Sequence, residues 1–273
     1  MTKPKTATPS KHEHRRISQI HEFWESKAKE HKADHWASWG DRNMINLEIR
    51  AIREYVTNGD HVLDAGCSNG YSTFRIAEGN NVRVRAFDYS KASIRFAHQK
   101  QAELGNRGIE FYYGNILDIA EPSSSFDTVY TIRVVINLPS FKLQQQAITE
   151  VHRVLKPGGL YLMSEAFSGS LAKLNALRKL ANLPPLKSPE FNLYLNERAL
   201  EKFVHRRFKI VAVRQFSSVY YVASRFLRYL TMKPGDKDSY DNEINNFFAR
   251  FRETENSGDF GIQKLYVLKK RKG

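Results

Sequence analysis

One stretch limits the fold more than any other. Val62-Leu63-Asp64-Ala65 runs straight into Gly66-Cys67-Ser68-Asn69-Gly70. The apolar run has the length of a strand and is too short for a helix, and the turn opens onto a helical pattern at 71–78. Gly66 allows a tight turn that a side chain would block, and Gly70 lets the next helix approach the strand closely. Strand, glycine turn and helix in that order open a parallel βαβ arrangement, and leave backbone N–H groups and a helix start at the strand's carboxyl end.

The chain then repeats this rhythm. Strand-like runs at 82–87, 109–113, 126–131 and 160–164 alternate with helical patterns at 91–104, ended by Gly105, and 144–155, broken by Lys156-Pro157-Gly158-Gly159. Such alternation predicts a mostly parallel, doubly wound α/β sheet covered on both faces. Upstream, Ile17, Ile20 and Trp24 mark a helix over about 17–32, and Met44, Leu47, Ala51, Ile52 and Tyr55 mark one over 42–56, capped by Asp41. After 165 the rhythm changes. Segments 166–195 and 217–260 read as helical lid insertions, with a helix at 197–206, a strand at 209–216 and a last strand at 263–268. The expectation is a disordered basic tail at 1–16 and one domain over 17–273, whose amino-terminal helices occupy 17–56.

Composition sets outer bounds. Hydrophobic residues make up 41% of the 273, enough for a real core and against global disorder. One cysteine, Cys67, rules out an internal disulfide framework and a cysteine-based zinc cluster, and fits a reducing, cytoplasmic location. No metal-ligand set is evident, and neither a signal peptide nor a membrane span is expected from the pattern of apolar runs. The net charge of +14 is concentrated at the ends, with +4 over 1–16 and +5 over 264–272. Solvated ends account for it, and an anionic partner such as RNA or a charged glycan is compatible with it.

Three strand ends supply parts of one nucleoside site. Asp64 inside the turn repels a pyrophosphate but suits an ammonium or sulfonium group. Asp88 lies 18 residues beyond Gly70 and can accept both hydroxyls of a ribose. Asn115 can pair with an adenine edge while Ile116 packs on the ring. GxGxxG spacing is absent because Ser68 stands where a glycine would be, and no GxxxxGK[ST] loop occurs.

On these residues the chain resembles the class I S-adenosylmethionine-dependent methyltransferases, over roughly 44–165. Phe126-Asp127-Thr128-Val129 and Glu150-Val151-His152-Arg153-Val154-Leu155-Lys156-Pro157-Gly158-Gly159 match further family segments. The resemblance implies a Rossmann-like, seven-stranded, mostly parallel sheet whose last strand is inserted antiparallel between strands five and six. It also implies S-adenosylmethionine as cofactor, with Asp64, Gly66, Ser68 and Gly70 around its amino-acid part. Asp88 would hold the ribose, and Tyr89, Asn115 and Ile116 would lie toward the base. Ser68 departs from the family's second glycine.

Methyl transfer needs alignment, a dry pocket and, for a hydroxyl acceptor, a base. Glu165, ending strand five, is a candidate base, with a cap as the alternative. Arg133 is a candidate for the cofactor carboxylate or an anionic substrate group, or else a structural ion pair. Asn137 either orients substrate or caps the turn. His31 and His35 are rival bases. Trp36 and Trp39 form either a substrate wall or a hydrophobic staple, and Asn192, Tyr194, Tyr220 and Tyr221 are lid candidates for substrate binding. The predicted acceptor is a hydroxyl or amine of a small metabolite or sugar unit. RNA or protein is the alternative, and the NPPY or DPPY run that accompanies methylation of base amines is absent.

Overall fold

A computed structural model describes residues 9–106, 108–233, 235–251, 253 and 257–272. Its sheet has seven strands in the order β3-β2-β1-β4-β5-β7-β6. They are β1 (His61–Ala65), β2 (Arg83–Asp88), β3 (Ile109–Tyr113), β4 (Phe126–Ile132), β5 (Leu155–Ala166), β6 (Phe208–Arg214) and β7 (Gln263–Lys270). The first five are parallel, and β7 runs antiparallel to both β5 and β6. This is the expected doubly wound, Rossmann-like arrangement, with the last strand in its predicted slot.

Burial along the strands follows their place in the sheet. Central β1 is buried on both faces after its first residue, as a parallel strand covered by helices on each side must be. Edge strand β6 alternates buried Phe208 with exposed Lys209 and Val211. Strand β5 begins five residues before its expected start. Lys156 to Gly159 loop out as a bulge, so that Phe126 pairs with Leu155 but Thr128 pairs with Leu160.

The amino-terminal helix α1 (Lys11–His31) corrects the tail prediction, because residues 11–16 are helical. Ser10 Oγ accepts from the Glu13 N–H and Glu13 accepts from the Ser10 N–H, a capping box already present in the sequence and overlooked there. Residues 1–8 of the expected tail lie outside the described residues. Helix α2 (Arg42–Arg53) buries Met44, Leu47, Ala51 and Ile52, and its Asp41 cap accepts from the Met44 N–H as expected.

Helices α3 (Tyr71–Ala77), α4 (Lys91–Leu104) and α5 (Phe141–Val154) follow β1, β2 and β4. The segments after β5 hold α6 (Ser168–Leu180) and α7 (Glu197–Val204). Helix α8 (Ser218–Val222) then runs through a π-helical turn, Ala223–Leu227, into α9 (Arg228–Thr231), and α10 (Glu243–Phe248) comes last. Among the described residues no helix is long and apolar enough to cross a membrane.

Candidate active site

The strand order reverses between β1 and β4, and a crevice opens there at their carboxyl ends. Asp64, Gly66, Ser68, Tyr71 and Arg133 line it, with Ser38 above.

The glycine turn spends most of its own donors. The Gly66 and Cys67 N–H groups both donate to the Phe87 carbonyl, Ser68 N–H to Asp88 Oδ2 at 2.8 Å, Gly70 N–H to the Cys67 carbonyl and Tyr71 N–H to Asn69 Oδ1. Among the described residues the Asn69, Ser72 and Thr73 N–H groups have no acceptor, so the donors that remain are at the helix start. Asp64 lines the crevice beside them, and a carboxylate there favours a cationic group over a phosphate. Gly66 has φ +98, and a Cβ there would meet Val134 Cγ2 at 2.4 Å. Gly70 has φ +78, and a Cβ there would meet the Phe111 ring of β3 at 2.9 Å and the Phe74 ring of α3 at 3.0 Å. Ser68 adopts φ +49, so it keeps the left-handed backbone that a glycine would supply.

Asp64 is almost fully buried, and its Oδ2 accepts from Thr73 Oγ1 at 2.7 Å and from the Tyr130 hydroxyl at 2.8 Å. Burial pushes its pKa up to about 7 against the pull of those two hydroxyls. Asp88 accepts from the Ser68 and Ser90 N–H groups, one on each oxygen, and burial raises it to about 6. Tyr89 has a buried hydroxyl without a hydrogen-bond partner among the described residues, and the His21 ring stands edge-on to the Tyr89 ring. Asn115 is exposed and its Oδ1 accepts from the Leu117 N–H, while Ile116 is buried.

Arg133 also has positive φ, +56, and its Nε lies 3.2 Å from Glu48 Oε2. Its guanidinium covers the Trp39 ring at 4.6 Å. Glu48 is fully buried, takes a hydrogen bond from Ser164 Oγ and is raised to about 7 by burial, with Arg133 opposing.

Glu165 is fully buried too. Its Oε1 accepts from the Val134 and Val135 N–H groups and its Oε2 from the Ile136 N–H, which pins the 3-10 turn Val135–Asn137. Burial raises it to about 7 while those N–H groups oppose. The general-base expectation is therefore corrected to a cap, because three backbone N–H groups hold the carboxylate and none of it reaches solvent. Asn137 likewise donates to the Arg133 carbonyl and accepts from Trp24 Nε1, which makes it a clasp between this turn and α1.

The aromatic candidates divide. Trp39 packs between Arg133 and Tyr240, and Tyr194 is half-buried, its pKa raised to about 12 by burial. Trp36 is half-exposed against His31 and His35 and fills the space beside Gly40. Asn192 closes a turn through its N–H to Pro189. Tyr220 and Tyr221 are corrections. Both are buried, with their hydroxyls committed to Asp41 and Gln263, so they build the lid's core.

Sequence reasoning missed three residues. Asn69 Nδ2 donates to the Lys32 carbonyl at 2.8 Å and the Asp34 carbonyl at 2.7 Å, which staples the segment after α1 to the glycine turn. Glu25 of α1 accepts from Ser90 Oγ and the Ala92 N–H at the start of α4. Glu48 sat in plain view, as an acid on the apolar face of α2 between Met44 and Ile52.

A methyltransferase-domain model matches residues 56–202, more than half of the chain. The chain belongs to that family. Within it, the methyltransferase domain is similar to a 27-O-demethylrifamycin SV methyltransferase of Amycolatopsis mediterranei, 27% identical over 170 residues, covering 59% of this chain and 58% of the relative. It is also similar to a sterol 24-C-methyltransferase of Eremothecium gossypii, 32% identical over 116 residues, covering 42% of this chain and 30% of the relative. The domain thus spans less than two thirds of either relative. Among solved structures, a geranyl diphosphate methyltransferase superposes with TM-score 0.56 at 15% identity, covering 83% of this chain and 77% of that one. The [4+2]-cyclase SpnF superposes with TM-score 0.56 at 18% identity, covering 88% and 84%. These two likenesses concern the fold alone.

Proposed function

We propose that the chain binds S-adenosylmethionine in the β1–β4 crevice and transfers its methyl group to a hydroxyl or amine of a small metabolite or sugar unit. The observation that carries this reading is the pair of buried carboxylates, Asp64 and Asp88, on adjacent strand ends at the glycine turn, with Asp64 lining the crevice and Asp88 held by the Ser68 N–H. The residues fit the cofactor. Gly66 lines the crevice with no side chain to occupy it, and the buried Tyr89 hydroxyl has no hydrogen-bond partner among the described residues.

The cofactor supplies a methyl group already activated on a positively charged sulfur. Asp64 faces the cationic amino-acid end. Asp88 accepts the ribose hydroxyls on the lone pairs that Ser68 and Ser90 leave, since a carboxylate has about four acceptor sites. Asn115 offers the donor end of its amide to the base, and Ile116 packs against it. Arg133 and Trp39 form the wall beyond β4, and Glu165 holds that wall's backbone. Asn69 keeps the segment at 32–38 over the crevice and water out of it.

The small-metabolite part of this reading is supported by both named relatives, whose names give a rifamycin precursor and a sterol, and the hydroxyl acceptor by the first alone, since the second is named for methylation at carbon 24. Because a [4+2]-cyclase shares the fold, activity has to be read from products. The test is calorimetric binding of S-adenosylhomocysteine, followed by incubation with S-adenosylmethionine and a metabolite and glycan extract. The reading expects saturable binding and a product heavier by one methylene. Methylation confined to RNA or protein would replace the acceptor assignment, and turnover without mass gain would overturn the transfer.

A further inference from the structure

A second concave site lies between α2 and α10, and it shares no residue with the crevice. Its polar lining consists of three arginines and three asparagines: Arg42, Asn43, Asn46, Arg50, Asn246 and Arg250. No carboxylate lines it among the described residues. Positions 42, 46 and 50 recur every four residues and share one face of α2, and the rise from 42 to 50 is about 12 Å.

The walls are tied together independently of any ligand. Asn43 Nδ2 donates to Asn246 Oδ1 at 2.7 Å, Asn246 Nδ2 donates to Asp241, and Arg50 Nη2 donates to the Phe251 carbonyl. Glu253 feels the charge of Arg50, but its oxygens accept from the Ser218 and Val219 N–H groups. Other arginines of the α8–α10 region are neutralised, Arg225 by Asp41 and Arg228 by Asp238. Those of the groove have no such ion pair among the described residues.

Like charges gathered on a concave wall repel one another, and an anion between them turns that repulsion into attraction. Guanidinium forks match phosphate oxygens in pairs. A span of two helical turns exceeds what one phosphate bridges. We propose that this groove is a second binding site, for a ligand carrying two or more linked phosphates, held by Arg42, Arg50 and Arg250. The concavity favours a discrete ligand over a flat membrane surface, although Phe247 and Phe251 stand half-exposed beside it.

The experiment is calorimetric titration of the full chain with inorganic pyrophosphate and tripolyphosphate at low salt. Saturable binding is expected, at least tenfold weaker in Arg42→Gln/Arg250→Gln, with S-adenosylhomocysteine binding and melting temperature unchanged. Arg42→Lys/Arg250→Lys keeps the charge without the fork and should fall between the two. Equal pyrophosphate affinity in wild type and the glutamine variant would overturn the proposal. So would binding to anionic phospholipid vesicles or single-stranded RNA with no saturable pyrophosphate binding, which would assign the arginines to a macromolecular surface.

Discussion

Arg133 Nε lies 3.2 Å from Glu48 Oε2, and this pair joins the turn after β4 to the inner face of α2. The carboxylate is wholly buried, whereas the arginine is partly buried at the crevice wall over the Trp39 ring, and their approach is an ion pair without hydrogen-bond geometry. Burial raises Glu48 to about 7, so the fold favours its neutral form at about pH 6. Glu48→Gln mimics that neutral form and should change stability by less than about 1 kcal/mol in urea unfolding at about pH 6. Arg133→Met removes the opposing cation, so Glu48 should stay protonated to higher pH. A loss of about 3 kcal/mol in Glu48→Gln at about pH 6 would show that the pair is already charged there.

Asn69 closes the crevice. Asn69→Ala removes two hydrogen bonds to backbone carbonyls and the one accepted from the Tyr71 N–H, and should cost about 2–3 kcal/mol. Limited proteolysis over residues 32–38 should speed up, and affinity for S-adenosylhomocysteine should drop about tenfold, or 1.4 kcal/mol. Unchanged proteolysis would show that the staple does not control this segment.

Gly66→Ala places a methyl group against Val134 and a side chain at φ +98. A loss of about 2–4 kcal/mol is expected. Adding Val134→Ala removes the atoms it strikes and should restore part of that loss, but not the backbone strain. No rescue in the double variant would place the whole effect in the backbone.

Stability should fall as pH rises from about 5 to about 7.5. Asp64, Glu48, Glu165 and Glu253 are each raised to about 7, and Asp88 to about 6. Each therefore binds a proton in the folded state that the unfolded chain has released, so their stabilisation is complete below the ordinary carboxyl pKa and is lost through the folded one. Melting curves at fixed ionic strength measure this, and a melting temperature that climbs across the window contradicts it. Cofactor binding runs the other way. A cation needs Asp64 ionised, so affinity for S-adenosylhomocysteine should tighten over the same range, and Asp64→Asn should weaken that trend.

Glu165→Gln separates cap from base. An amide can accept only through its oxygen, so its NH2 meets N–H groups where an acceptor stood. The cost is about 2 kcal/mol of stability. If Glu165 is a cap, the pH profile of turnover keeps its shape in the variant. A lost ionisation in that profile would restore the base assignment.

The sheet was legible because its information is local. Val62 to Gly70 states a strand and a turn within nine residues, the helix opens at Tyr71, and each later strand repeats the message. Asp64 and Asp88 could be placed from sequence because strand ends in a parallel sheet all face one edge. Boundaries were lost where a local signal was passed over, as at the Ser10–Glu13 capping box, or where a bulge extended β5 past Lys156-Pro157-Gly158-Gly159.

What the sequence by itself determined, then, is the order of strands and helices and the carboxylates that this order brings to the crevice edge. The tertiary structure alone decided what each polar side chain faces. Glu165, Asn137, Tyr220 and Tyr221 looked like site residues by position, and their hydrogen bonds were taken by backbone or by side chains far along the chain. The physical reason is that a buried polar group must find a partner. Which partner it finds depends on distances in space that no spacing along the chain records.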